Sequence, residues 1–369
     1  MPAAPCRSNS HQDNMPYDYG NFSVRRRYPV RRPGCDDLLR HAEPVRSPQI
    51  GPAQQFQLRP DCSVAYPIPR EAEMDYRQLF VVEPGRRLRL ADRDPGFKGH
   101  RETHQTAAAE LEHYRRKLAH QQNLMYAEKK HALLIVLQAL DAGGKDGTVN
   151  HVLSALNPQG ASVTGFKQPT PLELEHDFLW RIHPHAPAKG WVAIFNRSHY
   201  EDVLVTRVHK LIDKATWTAR YDRIRDFERE LSENGTKILK FFLQIDKKEQ
   251  LARFEQRLDD PARNWKISES DYSERALWDD YVAAFEDALS ATSAPHAPWY
   301  VIPSNHKWFR NLAVSQIVAD TMQDLAMSFP KPTVDLADIR RKYHAAVLEE
   351  RRRSHAEEQR CWPKAHPIR

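Results

Sequence analysis

The amino-acid sequence predicts an α/β protein with three layers, in which helices cover both faces of a five-stranded parallel sheet. Five short apolar runs alternate with segments of helical patterning between residues 133 and 302. Strands that alternate with helices pair in parallel through right-handed crossovers, and such sheets are buried on both faces. A glycine-rich segment directly follows the first run, which predicts a ligand-binding loop at the carboxyl edge of the sheet.

Each predicted element rests on a local pattern. Residues 103–130 predict a long charged helix that packs on the body of the protein. The predicted strands are residues 133–138, 161–166, 191–196, 238–245 and 299–302. The predicted helices between them run from the glycine-rich segment to about residue 156, from 170 to about 185, onward from about 198, and from 221 to 234.

Capping residues define two of these helices. Thr170 is followed by Pro171 and Glu173, which predicts a capping residue, a proline in the first turn and a glutamate that reaches back. Asn234 and Gly235 predict the end of the helix before the fourth strand.

The sequence divides into three regions. Residues 1–70 are rich in Pro, Arg, Ser, Asn and Gln without an apolar period, so we expect a disordered basic tail. Residues 71–330 form the predicted folded domain. Within it, residues 246–290 predict a charged helical insertion between the fourth and fifth strands, which we call the lid. Residues 331–369 predict a charged C-terminal helix and a basic tail.

The composition suits a chain with a sizeable core and an anionic partner. Of the 369 residues, 40% are hydrophobic and 28% are charged, and the formal net charge is +6. A positive excess suits phosphate chains, nucleotides or nucleic acid, and the alternative is that it serves solubility alone.

The four cysteines show neither metal-ligand spacing nor a disulfide framework, which favours a reducing compartment. The sequence has no apolar run of transmembrane length and no apolar segment typical of a signal peptide at its start. We therefore expect a cytoplasmic protein with no membrane partner.

The glycine loop, which we define as residues 139–148, carries the most informative motif. Gly143 and Gly144 let the backbone approach an anion closely, and amide groups of the loop and the following helix point at it. Lys145 adds a charge that can reach a terminal phosphate. Phosphates would repel Asp141 unless a cation lies between them, so we interpret Asp141 as a magnesium ligand.

The glycine loop departs from the standard phosphate-loop pattern in three places. Ala139 replaces the first glycine, Asp146 stands where Ser or Thr is expected after the lysine, and Thr148 comes later. The alternative interpretation is therefore a tight turn between a buried strand and a helix.

Polar residues also follow the third and fourth predicted strands, at the same edge of the sheet. They are the pair Asn196-Arg197 and the pair Asp246-Lys247, and their convergence on the glycine loop favours phosphate chemistry.

The lid begins with a basic stripe, since Gln250, Arg253 and Arg257 share one helical face. Acidic residues are interleaved, so the alternative is a salt-bridged surface helix, but the position directly after a strand favours a lid that closes over phosphate.

Four motifs resemble those of the polyphosphate kinase 2 family, over roughly residues 76–330. They are Asp141-Ala-Gly-Gly-Lys145-Asp-Gly147, Phe195-Asn-Arg-Ser-His-Tyr-Glu-Asp-Val203, the lid residues Lys247, Arg253 and Arg257 with Trp265-Lys266, and Ala297-Pro-Trp-Tyr-Val-Ile-Pro303. The second motif is most similar to that of class III members, which phosphorylate both nucleoside monophosphates and diphosphates. The resemblance implies a P-loop kinase fold with a helical lid.

The resemblance also implies roles for single residues. Asp141 is implied as a magnesium ligand, Lys145 as a phosphate contact of the Walker A loop, and Arg197 as a phosphate-binding residue at the transfer centre. The family often has Asp where this sequence has Asn196, which offers one neutral oxygen, so the way a second Mg²⁺ is held stays open. Glu201 would replace the negative charge of the missing Asp or determine which acceptor binds. The alternative is that Glu201 is a solvated residue at the start of a helix, where the helix dipole favours a negative charge.

We therefore expect Mg²⁺-dependent transfer of a phosphoryl group from inorganic polyphosphate to AMP or ADP, forming ADP or ATP. Asp141, Lys145 and Arg197 are the expected catalytic residues, with Asp141 and Asn196 as metal ligands. The expected phosphate and nucleotide contacts are Gly143, Gly144, Gly147, Thr148, Asn196, Glu201, Lys247, Arg253 and Arg257. The basic groove for polyphosphate would consist of Lys247, Arg253, Arg257, Lys307 and Arg310. The resemblance implies a dimer or tetramer, and no nucleic-acid partner is expected.

Two other functions share parts of this pattern. An ATP-dependent nucleotide kinase has the same fold, loop and lid, and it needs an additional adenine pocket for its donor, which the sequence does not exclude. A non-catalytic phosphate-loop scaffold would bind nucleic acid through the basic tails. The pair Asp141 and Lys145 argues against the scaffold, because binding alone needs no magnesium carboxylate.

Overall fold

The computed structural model describes residues 74–99 and 103–361, and the predicted tail over residues 1–70 lies outside the described residues. Five parallel strands form a sheet in the order β2-β3-β1-β4-β5, which confirms the predicted fold class. The strands are β1 (Ala132–Gln138), β2 (Ala161–Gly165), β3 (Val192–Asn196), β4 (Thr236–Gln244) and β5 (Trp299–Pro303).

Helices connect these strands and extend beyond them. The α-helices of the described residues are α1 (Tyr76–Phe80), α2 (His104–Glu128), α3 (Lys145–Val152), α4 (Pro171–Leu174), α5 (Glu201–Val208), α6 (Lys214–Glu233), α7 (Lys247–Asp259), α8 (Glu269–Ala276), α9 (Trp278–Thr292), α10 (Lys307–Gln323) and α11 (Leu336–Cys361). None of them has the length and apolar character that a membrane-spanning helix needs.

The central strand β1 shows how the sheet separates two apolar cores. Its side chains alternate in direction, so Leu133 and Ile135 contact one core while Leu134 and Val136 contact the other. Helices α2 and α10 cover the first core, and α5, α6 and α9 cover the second. Because both faces are covered, every residue of β1 is buried, which explains the uninterrupted apolar run.

The predicted helix from 170 to about 185 is wrong beyond its first turn. Thr170 and Glu173 form the expected capping box, but α4 ends at Leu174. The Asp177 carboxylate then accepts a hydrogen bond from the Leu179 amide at 2.9 Å, which stabilises a turn in place of a helix. The segment therefore continues as turns beside the end of β2.

Two other helical predictions need correction. Helix α6 begins at Lys214, seven residues before the predicted start, because the Asp213 side chain accepts a hydrogen bond from the Thr216 amide at 2.7 Å. The lid region contains three helices, and the last of them, α9, packs into the second core through Phe285 and Leu289. Only α7 and α8 therefore have the exposed, charged character of the predicted insertion.

A buried ion pair joins β4 to the helices that cover the second core. Lys240 Nζ lies 2.6 Å from a Glu228 carboxylate oxygen and donates to the Tyr200 hydroxyl at 2.9 Å and the Thr292 carbonyl at 2.8 Å. Burial alone would raise the pKa of Glu228, but the charge of Lys240 holds it below its ordinary value. The pair thus connects α5, α6 and α9 to the sheet.

Removing Lys240 should destabilise the fold more than removing a surface cation. We expect Lys240→Met to lower the free energy of unfolding by about 3–5 kcal/mol, because the buried Glu228 carboxylate loses its partner. The matched control is Arg229→Met, whose exposed ion pair with Asp226 contributes less than about 1 kcal/mol. Unfolding in urea measures both variants, and equal losses would contradict a structural role for the buried pair.

Candidate active site

A cavity of about 1090 Å³ opens at the carboxyl edge of the sheet. Its walls are the glycine loop after β1, the ends of β2 and β3, the lid, and the first turns of α5 and α10. Of the segments predicted to converge, the glycine loop and the pair Asn196-Arg197 line the cavity, whereas Asp246 and Lys247 do not.

The backbone of the glycine loop is shaped by close contacts. Gly144 has a positive φ of 103°, and a Cβ atom there would lie 2.0 Å from Nη1 of Arg310. A Cβ atom at Gly143 would lie 2.5 Å from that of Ala139. Only glycine fits at both places, and the chain then turns directly into α3 at Lys145.

Lys145 lies among the charged groups at the centre of the site. Its Nζ donates to the Ala139 carbonyl at 2.9 Å, across the base of the glycine loop. Burial, and then the nearby Arg197 guanidinium, lower the pKa of Lys145, while the Asp141 carboxylate opposes the shift. This arrangement concentrates positive charge where the loop amides would hold a phosphate.

Arg197 adopts a strained backbone conformation beside Lys145. Its φ is 65°, in the left-handed region, and its amide donates to the Leu137 carbonyl at 3.1 Å. The guanidinium lies 3.5 Å from Asp141 and 3.9 Å from Glu201, and the side chain stays 44% exposed. Burial raises the pKa of Glu201, although the charge of Arg197 opposes that shift. The positive end of Arg197 therefore faces the cavity between two carboxylates.

Asp146 takes the place of the usual Ser or Thr and links the glycine loop to β3 and the lid. Asn196 Nδ2 donates to one of its carboxylate oxygens at 2.9 Å, and Lys266 Nζ lies 3.3 Å from the other. Burial alone would raise the pKa of Asp146, but these two contacts hold it below its ordinary value. The amide nitrogen of Asn196 is thus engaged, and its oxygen is the atom left to hold a cation.

The basic stripe of α7 turns inward. Gln250 and Arg253 are only 2% and 5% exposed. Gln250 Nε2 donates to the Asp141 carbonyl at 3.0 Å, and Arg253 Nη1 donates to the Ala142 carbonyl at 2.8 Å. Arg253 also donates to the Ser304 carbonyl after β5. These two side chains therefore hold the glycine loop in place, while the sequence had suggested an open groove.

The structure brings most of the predicted site residues together. Thr148 is the first exception, because it is buried and its hydroxyl donates to the Gly144 carbonyl at 3.2 Å. Lys247 is the second, because it does not line the cavity, and its carbonyl accepts a hydrogen bond from Arg275 at 2.7 Å. The predicted residues that line the cavity are Asp141, Gly143, Gly144, Lys145, Gly147, Asn196, Arg197, Glu201, Arg253 and Arg257.

Arg310, which the sequence predicted only as an additional member of the basic groove, is a buried residue of the cavity wall. It lies on α10, is 2% exposed, and donates to the Asn311 side chain at 2.8 Å and 3.1 Å. It forms no ion pair with a carboxylate of the described residues, and burial followed by the charge of Arg253 lowers its pKa to about 10. The sequence signal for Arg310 was its position three residues after Lys307, at the start of a helix that follows a strand.

A basic cluster therefore occupies one end of the cavity, and we define it as Arg253, Arg263, Lys307 and Arg310. Burial, and then the charges of Arg253 and Arg263, lower the pKa of Lys307. Cations that repel one another beside a phosphate loop form a site for a multiply charged anion.

Comparison with known proteins identifies the family and agrees with the fold. The model of the family described as Polyphosphate kinase 2 (PPK2) matches residues 101–330. The chain belongs to the polyphosphate kinase 2 family. The AMP/ADP-polyphosphate phosphotransferase of Meiothermus ruber is 49% identical over 257 residues, which are 69% of this chain and 95% of that protein.

Two further comparisons agree with this assignment. The ADP-polyphosphate phosphotransferase of Rhodopseudomonas palustris is 44% identical over 252 residues, which are 65% of this chain and 86% of that protein. The crystal structure of polyphosphate kinase 2 from Arthrobacter aurescens TC1 superimposes with a TM-score of 0.71 at 42% identity, over 75% of this chain and 97% of that one. The resemblance drawn from the motifs and the expectation of a kinase-type transferase are confirmed.

Replacing Arg310 should separate stability from phosphate binding. We expect Arg310→Met to keep or raise the midpoint of thermal unfolding, because it removes a buried charge without a partner. The same change should weaken the binding of tripolyphosphate about tenfold or more, since hydrogen bonds to charged groups contribute about 1.5–3 kcal/mol.

The matched control for that experiment is Arg253→Met. It should lower the midpoint of thermal unfolding, because the carbonyls of Ala142 and Ser304 lose their donor. Thermal unfolding with and without tripolyphosphate measures both variants. If Arg310→Met lost as much stability as the control, Arg310 would be a structural residue and not a phosphate ligand.

Proposed function

We propose that the protein transfers the terminal phosphoryl group of inorganic polyphosphate to AMP and ADP in a Mg²⁺-dependent reaction. The observation that carries this proposal is the basic cluster, where the buried Arg310 faces the glycine loop and has no carboxylate partner in the part of the chain that the structure describes. The names of the relatives in Meiothermus ruber and Rhodopseudomonas palustris support it, and they favour polyphosphate over ATP as the donor.

The donor would lie along the basic cluster and end at the glycine loop. Polyphosphate carries a charge on each phosphate, so it suits a row of cations. Within the cluster, Arg253 pairs with Glu249 and Arg263 with Asp260, whereas Lys307 and Arg310 form no ion pair with a described residue. Its binding should weaken steeply with salt, because bound counterions are released as they are from nucleic acids.

The oxygen donors beside the glycine loop suit Mg²⁺. Mg²⁺ in phosphoryl-transfer sites is commonly held by one or two carboxylates together with substrate phosphates. Asp141 faces the cavity, and Asn196 offers its amide oxygen beside Asp146. The described residues contain no cluster of three or more His, Cys, Asp or Glu side chains that would hold a metal ion alone. When bound there, Mg²⁺ would offset the charge of the phosphate oxygens.

Catalysis would come from positioning and charge. Lys145 and Arg197 would stabilise the negative charge on the transferring group from two sides, and the loop amides would keep it in line with the acceptor. The acceptor is a phosphate oxygen that is already ionised at neutral pH, so it needs little base catalysis. The reaction therefore requires no covalent intermediate on the protein.

Three further expectations belong to the proposal. We expect the catalytic domain to lie within residues 71–330 and residues 331–369 to lie outside it, and the match of the family model to residues 101–330 supports this division. The protein would act in the cytoplasm, where AMP and ADP are available. It would assemble as a dimer or tetramer, as the family resemblance implies.

The direct test is an analysis of nucleotide products. Protein incubated with AMP, Mg²⁺ and long-chain polyphosphate, without added ATP, should form ADP and then ATP. We expect Asp141→Asn to lower turnover about 100-fold or more, because a charge that acts on the transferring phosphates is removed. The matched control is Asp279→Asn, an exposed carboxylate on α9 that does not line the cavity.

Each result of that analysis has a defined meaning. ADP without ATP would restrict the acceptor to monophosphates. Product formation from ATP and AMP, with none from polyphosphate, would contradict the proposed donor and leave an ATP-dependent nucleotide kinase.

A further inference from the structure

The C-terminal helix α11 contains one short motif twice. Arg340-Arg-Lys-Tyr-His-Ala345 is followed by Arg351-Arg-Arg-Ser-His-Ala356, in which two arginines, a third cation, a histidine and an alanine keep the same order. Equivalent residues of the two copies are 11 positions apart, about three helical turns, so they share one face of the helix. The helix lies beyond residues 101–330, which the family model matches.

Most of α11 is exposed to solvent. Between Leu336 and Glu357, Asp338 and Val347 are half-buried and every other residue is exposed. An exposed helix depends largely on interactions along its own length, because it gains little from packing against the rest of the protein.

Ion pairs within α11 use one set of its cations. Lys342 lies 2.8 Å from Asp338, and Arg353 lies 2.6 Å from Glu349. Arg341 also pairs with Asp338, at 3.1 Å. Pairs three and four residues apart stabilise a helix, so these cations already have a structural role.

A second set of cations has no such role. Arg340, Arg351 and Arg352 are exposed and form no ion pair with any residue in the ranges 74–99 and 103–361 that the structure describes. Arg340 and Arg351 are about 16 Å apart along the helix axis and about 20° apart around it. Lys342 and Arg353 have the same spacing, but they lie about 160° around the axis from the first two. The free cations therefore form a row on one side of α11.

This row suits a linear polyanion better than a compact one. The phosphates of a single nucleotide are too short to contact both copies of the motif, whereas a long phosphate chain contacts both. Proteins that bind single-stranded nucleic acid commonly add aromatic side chains on which the bases stack. Here the cations are repeated but the aromatic residue is not, because Ser354 stands in the second copy where Tyr343 stands in the first.

We propose that α11 is a second docking site for inorganic polyphosphate, where Arg340, Arg351 and Arg352 bind phosphates of the chain while its end reacts at the glycine loop. A chain that is bound at one site has a raised effective concentration at the other. Long donors would therefore stay attached after each transfer, whereas short donors would gain nothing from α11. The inference rests on the proposed function for the identity of the polyanion.

The test compares two double variants that remove equal charge. Arg340→Gln with Arg351→Gln removes two cations of the row, and the matched control, Lys342→Gln with Arg353→Gln, removes two paired cations at the same spacing. Glutamine keeps a high helix propensity in both. For long-chain polyphosphate, KM should rise about tenfold in the first variant and less than about twofold in the control, because each phosphate contact strengthens binding several-fold. KM for tripolyphosphate and for AMP should stay unchanged.

Three results would overturn the proposal. An equal rise of KM for long-chain polyphosphate in both double variants would show that only the net charge of α11 matters. A similar rise for tripolyphosphate would exclude a second site, because that donor is too short to occupy α11 and the glycine loop together. A loss of helix, measured by circular dichroism, that is larger in the first variant than in the control would attribute weaker binding to unfolding of α11.

Equilibrium binding without a nucleotide separates this inference from the proposed function. The logarithm of the binding constant for long-chain polyphosphate should fall with the logarithm of salt concentration, and the first variant should reduce that slope by about 1.4, which is about 0.7 for each lost contact. This result would support the α11 site even if polyphosphate were not the donor. An unchanged slope would overturn the site whatever the donor, and so would tighter binding of a DNA duplex that the same variant abolishes.

Discussion

The site depends on a buried arginine that binds backbone carbonyls. Arg253, on α7, donates to the carbonyl of Ala142 in the glycine loop and to that of Ser304 after β5. The loop backbone takes left-handed conformations at Ala142 and Gly144, which would relax without such support. One guanidinium therefore connects the root of the lid, the glycine loop and the residue that follows the last strand.

The second buried guanidinium has the opposite role. Arg310 lies against the same loop, but its side-chain partner is the neutral Asn311. Burying a charge without an ionic partner lowers the stability of a protein, and such destabilising residues are kept where function requires them. In the proposed complex, the phosphate chain would supply the missing negative charge and reduce the repulsion among the cations. Arg253 and Arg310 are similarly buried, but their guanidinium groups donate to different acceptors. Arg253 donates to backbone carbonyls of the loop and the last strand, and Arg310 donates to the Asn311 side chain.

The sequence predicts the sheet and the phosphate loop well because both depend on local patterns. Uninterrupted apolar runs define the strands, and the order of residues from Asp141 to Lys145 defines the loop. The inward turn of Gln250 and Arg253 was not predictable, since helical spacing shows that residues share a face but not which surface that face meets. Glu274 and Tyr281 lie on two helices outside the family motifs, and only tertiary packing brings them to the cavity that Glu201 also lines. The helix after Thr170 stops early because the Asp177 side chain competes for backbone donors.

In the proposed mechanism, charge and position alone move the phosphoryl group directly from polyphosphate to the nucleotide. A single-turnover experiment with excess protein, Mg²⁺, AMP and polyphosphate labelled with ³²P at its terminal phosphate tests it most directly. The label should pass into ADP with no protein-bound label at any time before completion, on quenching in either acid or alkali. Protein-bound label that forms and decays at least as fast as ADP appears would contradict direct transfer and require a nucleophile on the protein.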